Sequence, residues 1–196
     1  CAVRVFLGAR FLVIVDTRPP WRPGRSNPLY VHSDDRGEMW PSMLEKAAAK
    51  LFGVDGYSQL EGGNTHDGLT MLCGAGGRSF SHSSSSPDVV TGRLWRALLR
   101  GHQLRFVAGA GSSGRSDEHV GGLGIVERHA YSVLAVVAAG EHRLLKLRNP
   151  WGRREWTGAW SDTSPMWRRH PEVASACGHV GQDRADGVFW MSYEDF

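Results

Sequence analysis

The stretch at residues 127–152, ERHAYSVLAVVAAGEHRLLKLRNPWG, holds two apolar alternating runs separated by Ala139 and Gly140. Alternation with a period of two marks strands, and a glycine-containing break between two such runs is the sign of a β-hairpin. A turn centred on Ala139-Gly140 sets His129 opposite residue 150, and a one-residue change of register sets it opposite Asn149. Directly opposed residues have Cβ atoms about 4.5–5.5 Å apart, close enough for an Asn side-chain oxygen to accept from an imidazole N–H. Such an acceptor fixes the tautomer and ring orientation of the histidine and leaves its other nitrogen free to activate a thiol. Taken singly, His129 reads as a hydrogen-bonded core histidine and Asn149 as a turn residue before Pro150. Their neighbours in the sequence change that weighting.

Working outward, residues 2–15 alternate around Gly8-Ala9-Arg10 and predict a second hairpin, running into Asp16 and the Pro19-Pro20 break. Residues 40–52, WPSMLEKAAAKLF, are rich in strong helix formers, carry Pro41 in the first turn and meet Gly53, which predicts a helix. Residues 61–68, EGGNTHDG, contain Gly62, Gly63 and Gly68. Such a stretch suits a hinge or the close approach of another backbone, and is the expected boundary between two lobes. Residues 81–87, SHSSSSP, predict a mobile loop, and Leu94, Trp95, Leu98 and Leu99 fall at helical spacing behind it. Residues 104–108 predict a short strand, and the Gly/Ser-rich run at 108–124 a long surface loop.

Composition bounds the function classes. With 196 residues, 41% hydrophobic and 22% charged, the chain can bury the core of one domain or two small lobes. Its 23 basic residues barely exceed its 20 acidic ones, and the net charge of +3 forms no basic stripe, so nucleic acid is not an expected partner. Cys1, Cys73 and Cys177 are an odd set with no CxxC pair. That argues against a disulfide framework or a zinc site and for a reducing compartment, the cytoplasm. No window approaches eighteen apolar residues and no signal-peptide pattern opens the chain, so neither a membrane span nor export is expected. The start at Cys1 within an apolar alternation and the stop at Phe196 are read as truncations.

The strings HAYSV and RNPWG, in this order and followed by EWTGAWSD and DGVFWMSYEDF, resemble the protease core of calpains. The likeness extends over nearly the whole chain, through the early VRV strand, VHS with GEMW, the LEKAAAK helix and the glycine pair at 62–63. It implies a papain-like α+β fold. Residues 1–61 would be the end of a helical first subdomain, and residues 62–196 a mostly antiparallel β second subdomain with flanking helices. It also implies peptide hydrolysis by a Cys-His-Asn triad acting in the cleft between the subdomains, on protein substrates in extended conformation. His129 would be the general base and acid, and Asn149 its orienting partner. The family's nucleophile stands in a QGxxGDCW motif that is nowhere in this sequence. Cys1, Cys73 and Cys177 lack that context and read as buried or inert thiols, so the chain is expected to be inactive alone.

Trp151 resembles the family tryptophan that covers the His-Asn pair at the cleft. Gly63 matches a glycine whose backbone hydrogen-bonds the substrate, whereas Gly62 reads as hinge. Arg128 departs from the well-known calpains, which have Gly there, also beside the substrate. RHAYSVL, GAGSSG and RNPWGR look closer to the small-optic-lobes type. The resemblance implies Ca²⁺ and no organic cofactor, since hard oxygen donors in six- to eight-fold sets suit that ion. Glu38 matches a ligand of a first site. Glu155, Asp162 and Asp186 match ligands of a second, with the carbonyl of Arg184, but Val188 stands where the well-known calpains have Glu, which weakens it. Asp16, His32, His66 and Asp67 read as structural or surface residues. Three functions follow: an intracellular calpain-type endopeptidase in complete form; a non-catalytic calpain-like interaction module, disfavoured by the intact His129 and Asn149; and a nucleic-acid-binding domain using the basic excess.

Overall fold

The computed structural model describes residues 1–24, 26–33, 35, 37–52, 56–181 and 185–196. Gly53, expected to stop the first helix, and Arg184, expected as a carbonyl donor, lie outside the described residues. The chain forms two compact units, Cys1–Arg78 and Ser79–Phe196.

In the first unit β1 (Ala2–Leu7) and β2 (Ala9–Ile14) pair antiparallel, with Gly8 alone at the apex at φ +67°. Period-two alternation puts Val3, Val5, Val13 and Val15 on one face. There they bury against Met43, Ala47 and Ala48 of α1 (Trp40–Phe52), residues that share one helix face at the i, i+4, i+5 spacing. The glycine-rich stretch at 61–63 falls inside this unit, not at its edge. Behind it α2 (Thr65–Cys73) buries Met71 in the same cluster and ends at left-handed Gly74, whose N–H donates to Thr70 O at 2.9 Å. The sequence reading gave no helix here. THDGLTMLC has weak helix propensity, and burial of Met71 against β1 and α1 outweighs it.

The second unit is a four-stranded antiparallel sheet in the order β3 (Ala108–Gly111), β4 (Ala130–Ala139), β5 (His142–Arg148), β6 (Val188–Ser192). Both faces are covered. On one, Leu145 and Leu147 of β5 and Phe189 and Met191 of β6 pack against α4 (Arg93–Gln103) through Leu94, with Trp95, Leu98 and Leu99 at its flank. On the other, Leu144 and Trp190 pack against Trp160, Trp167 of α5 (Met166–Arg169) and Val173 of α6 (Pro171–Cys177). A strand covered on both sides buries successive residues on opposite faces, as Leu144 and Leu145 do here. Ahead of α4, the short α3 (Pro87–Val90) starts from Ser86, whose hydroxyl accepts from Asp88 N at 3.2 Å. The last serine of the expected loop is thus a helix cap.

The β4–β5 hairpin forms as expected, with a different register. Ala139 pairs with His142, so the turn is Gly140-Glu141, with Gly140 at φ +59°. Nearer the open end a bulge at Leu134 shifts the pairing by one residue, between Val133↔Leu147 and Ala135↔Lys146. Carried past its last pair, the register aligns His129 with Trp151, not with Asn149 or residue 150. The strand expected at 104–108 lies instead at Ala108–Gly111, inside the expected loop. AGAG has no β-branched residue to announce it, but its ladder to residues 130–133 of β4 needs only main-chain groups.

Leu145 is fully buried between the sheet and α4. Leu145→Ala is expected to cost about 2–5 kcal/mol, read as a lower urea midpoint with an unchanged slope.

Candidate functional site

His129 sits just before β4 and Asn149 just after β5, at the open end of the hairpin. Their side chains meet: His129 Nε2 lies 2.9 Å from Asn149 Oδ1. Two further bonds set the orientation of the carboxamide. The Trp151 N–H donates to Oδ1 at 3.0 Å, and Nδ2 donates to Arg154 O at 3.2 Å. A backbone N–H can only donate and a carbonyl can only accept, so Oδ1 must be the atom facing the imidazole. Nε2 therefore carries the proton, and in the neutral ring Nδ1 holds the free lone pair. Asn149 has 0% of its surface exposed, whereas His129 is half-buried.

The main chain around Asn149 is equally occupied. Its N–H donates to Gly187 O at 2.8 Å and its carbonyl accepts from Gly152 N at 3.0 Å. Gly187, at φ +81°, donates its own N–H to Glu155 Oε1 at 2.7 Å. Trp151 lays its ring over His129, with centroids 4.3 Å apart and planes at 49°, and stays 44% exposed. That contact follows from the bulge-shifted register. Tyr131 meets the imidazole edge-on, with centroids 5.1 Å apart. Its buried hydroxyl accepts from Val126 N at 2.8 Å, and burial holds its phenol above the ordinary range.

Arg128 is exposed and stands at φ +46°, a left-handed conformation that an L side chain adopts at a cost of about 1–2 kcal/mol. That backbone gives a local reason for glycine before this histidine, beyond room for substrate. Gly63, in the first unit, is exposed, and a Cβ there would meet nothing within 4 Å. Cys1 and Cys73 are exposed; Cys177 is half-buried, and burial pushes its thiol up to about 11, away from the thiolate.

Calcium takes six to eight oxygen donors. Glu155 Oε1 takes the Gly187 N–H and Asp186 Oδ1 the Val188 N–H at 2.9 Å, while Glu38 Oε2 accepts from Ser33 Oγ at 2.8 Å. Asp162 and Asp186 line one pocket of about 150 Å³, but Lys146 lines it too. Among the described residues no three His, Cys, Asp or Glu side chains converge as a metal site needs. Among the described residues, then, the matched carboxylates do not gather into the oxygen set that calcium takes. Among the described residues, no helix is long and apolar enough to cross a membrane.

The sequence reading passed over Ser112, whose hydroxyl accepts from the His129 N–H at 3.0 Å, and Tyr131, Arg154 and Gly187, which surround the His129–Asn149 pair. The order of HAYSV and RNPWG announced the two partners; nothing marked a serine inside a Gly/Ser run.

The family model described as calpain family cysteine protease matches residues 3–196. The chain belongs to the calpain family of cysteine proteases, and its antiparallel α+β architecture is that of a piece of the papain-like protease domain. It is 45% identical over 188 residues to the calpain-type cysteine protease DEK1 of Arabidopsis thaliana, covering 94% of this chain and 8% of that protein. It is 43% identical over 188 residues to DEK1 of Zea mays, with the same coverage. To calpain-9 of Homo sapiens it is 35% identical over 189 residues, covering 94% of this chain and 26% of that protein. The chain thus spans a small part of the length of the relatives it matches.

Because position 128 is left-handed and exposed, Arg128→Gly is expected to raise stability by roughly 1 kcal/mol or less, the relief of strain being offset in part by a freer unfolded chain. A melting temperature raised by a few degrees checks this.

Proposed function

We propose that the longer protein to which this chain belongs is an endopeptidase that hydrolyses peptide bonds in extended protein substrates through a Cys-His-Asn triad, with His129 and Asn149 as two of its members. The observation that carries the reading is the His129 Nε2–Asn149 Oδ1 contact with its fixed amide orientation, in a chain of the calpain family. The third member comes from outside these residues, since Cys1, Cys73 and Cys177 stand in no nucleophile motif. The chain alone therefore cleaves nothing.

In this mechanism Nδ1 of His129 takes the thiol proton, because Nε2 is held as a donor to Asn149. The thiolate attacks the scissile carbonyl carbon. The imidazolium then returns the proton to the leaving amine as the C–N bond breaks, and water hydrolyses the thioester with the same imidazole as base. Asn149 keeps the ring in the tautomer and plane that this transfer needs. Trp151 shields the imidazole from bulk water on one face. Arg128 borders the bound peptide; at Gly63, in the first unit, a missing Cβ leaves main chain that another backbone can approach closely. Calcium enters no step, and the cytoplasm is the compartment in which the free thiols persist.

With the full-length protein, thiol-dependent cleavage of an unfolded protein substrate is expected, and His129→Ala should lower kcat by about 10²–10⁴-fold. Asn149→Ala should lower it by a smaller factor, with KM nearly unchanged. A wild type indifferent to His129→Ala would mean a binding module in place of a protease.

The calcium reading is checked separately. Asp162→Asn and Asp186→Asn should leave any calcium response of the full-length protein as in wild type, and loss of activation in either variant would assign these carboxylates to a working site.

A further inference from the structure

His129 lies one residue beyond the β3–β4 ladder, whose last pair is Gly111↔Ala130. One more antiparallel step would pair Ser112 with His129 through two main-chain bonds. Half of that step is present: the Ser112 N–H donates to His129 O at 2.9 Å. The other half is carried by a side chain, since the His129 N–H donates to Ser112 Oγ at 3.0 Å. The hydroxyl in turn donates to Val126 O, with Oγ 2.6 Å away, a shorter approach than the 3.2 Å to His129 O.

The consequence is a closed loop of bonds. Val126, with 0% exposure, has its N–H on Tyr131 Oη and its carbonyl on Ser112 Oγ. The two residues between Val126 and His129 include Arg128 in its left-handed conformation, so the chain turns sharply between two pinned points. Unpinned, a left-handed arginine would relax toward negative φ and rotate the histidine Cα–Cβ vector with it.

We infer that Ser112 is a positioning residue for His129: its hydroxyl stands in for the missing ladder carbonyl and fixes the main chain from which the imidazole projects, while Asn149 fixes the ring. The inference rests on the proposed role of His129. Ser112 touches no substrate and acts only through the histidine. Misplacement by about 1 Å of a group that transfers a proton costs up to ~100-fold in rate.

The test uses the full-length protein with Ser112→Ala, Ser112→Thr and Ser112→Val, read by peptide hydrolysis and by hydrogen exchange of peptides spanning residues 126–131. Threonine keeps the hydroxyl; valine has the same shape without it. Expected are a kcat lowered by roughly 10- to 100-fold in the alanine and valine variants, an unchanged KM, and recovery in the threonine variant. Amide exchange at His129 should be faster in alanine and valine only. Equal kcat and equal exchange for valine and threonine overturns the inference. An inactive wild type, with His129→Ala without effect, overturns the proposed function instead. In that case faster exchange in Ser112→Val than in Ser112→Thr still supports the clasp, and equal exchange overturns it. Should the alanine variant fail to fold, the valine and threonine pair carries the comparison.

Discussion

A carboxamide with no exposed surface must find its partners within the protein, because each unsatisfied polar group costs about 1–3 kcal/mol. Every polar atom of Asn149 has a partner. Its side-chain oxygen takes two donors, its amide nitrogen finds the Arg154 carbonyl, and both of its main-chain groups are bonded. The turn after β5 is wrapped around this residue, with Trp151, Gly152 and Arg154 each supplying a main-chain group. The imidazole gains a defined acceptor because the rest of the turn leaves the carboxamide only one orientation.

The sheet makes such a demanding turn affordable. Leu144, Leu145 and Leu147 on β5 bury on opposite faces, so the strand that ends at Asn149 is anchored on both sides. The bulge at Leu134 divides the hairpin into a segment near the turn and one near the open end, offset by a residue. The open end can then hold Trp151 against His129 while the turn end keeps a two-residue connection. One insertion in one strand thereby reconciles the geometry of the turn with that of the site.

What the sequence could reveal followed the kind of force involved. Elements driven by patterned burial were legible: the valine alternation of β1 and β2, the Met43–Ala47–Ala48 face of α1, and the two runs of the β4–β5 hairpin. Elements without a patterned apolar face were not. β3 is built of Ala and Gly, α2 contains Gly68, and the bulge leaves no compositional trace. At the site, His129 and Asn149 were named from the hairpin and from strings that resemble calpains, although by a register that does not occur. They meet because both lie beyond the paired region, where side chains reach diagonally. The residues that hold them, Ser112 and Gly187, work through hydroxyl and main-chain groups that any loop offers, so only coordinates single them out. The carboxylates matched to calcium have a main-chain use that their residue type does not announce: Glu155 and Asp186 each accept a backbone N–H, from residues 187 and 188.

Gly187 closes the network from the far side. A Cβ at this position would lie 2.7 Å from the Asn149 carbonyl oxygen and 2.8 Å from Gly152 Cα, both main-chain atoms that cannot swing aside, and φ is +81°. In a saturation library of this chain, position 187 would therefore have an alphabet of one letter. It sits 38 residues from Asn149 in sequence and carries no functional group, yet the loss of fitness at this glycine should rival that at the histidine itself.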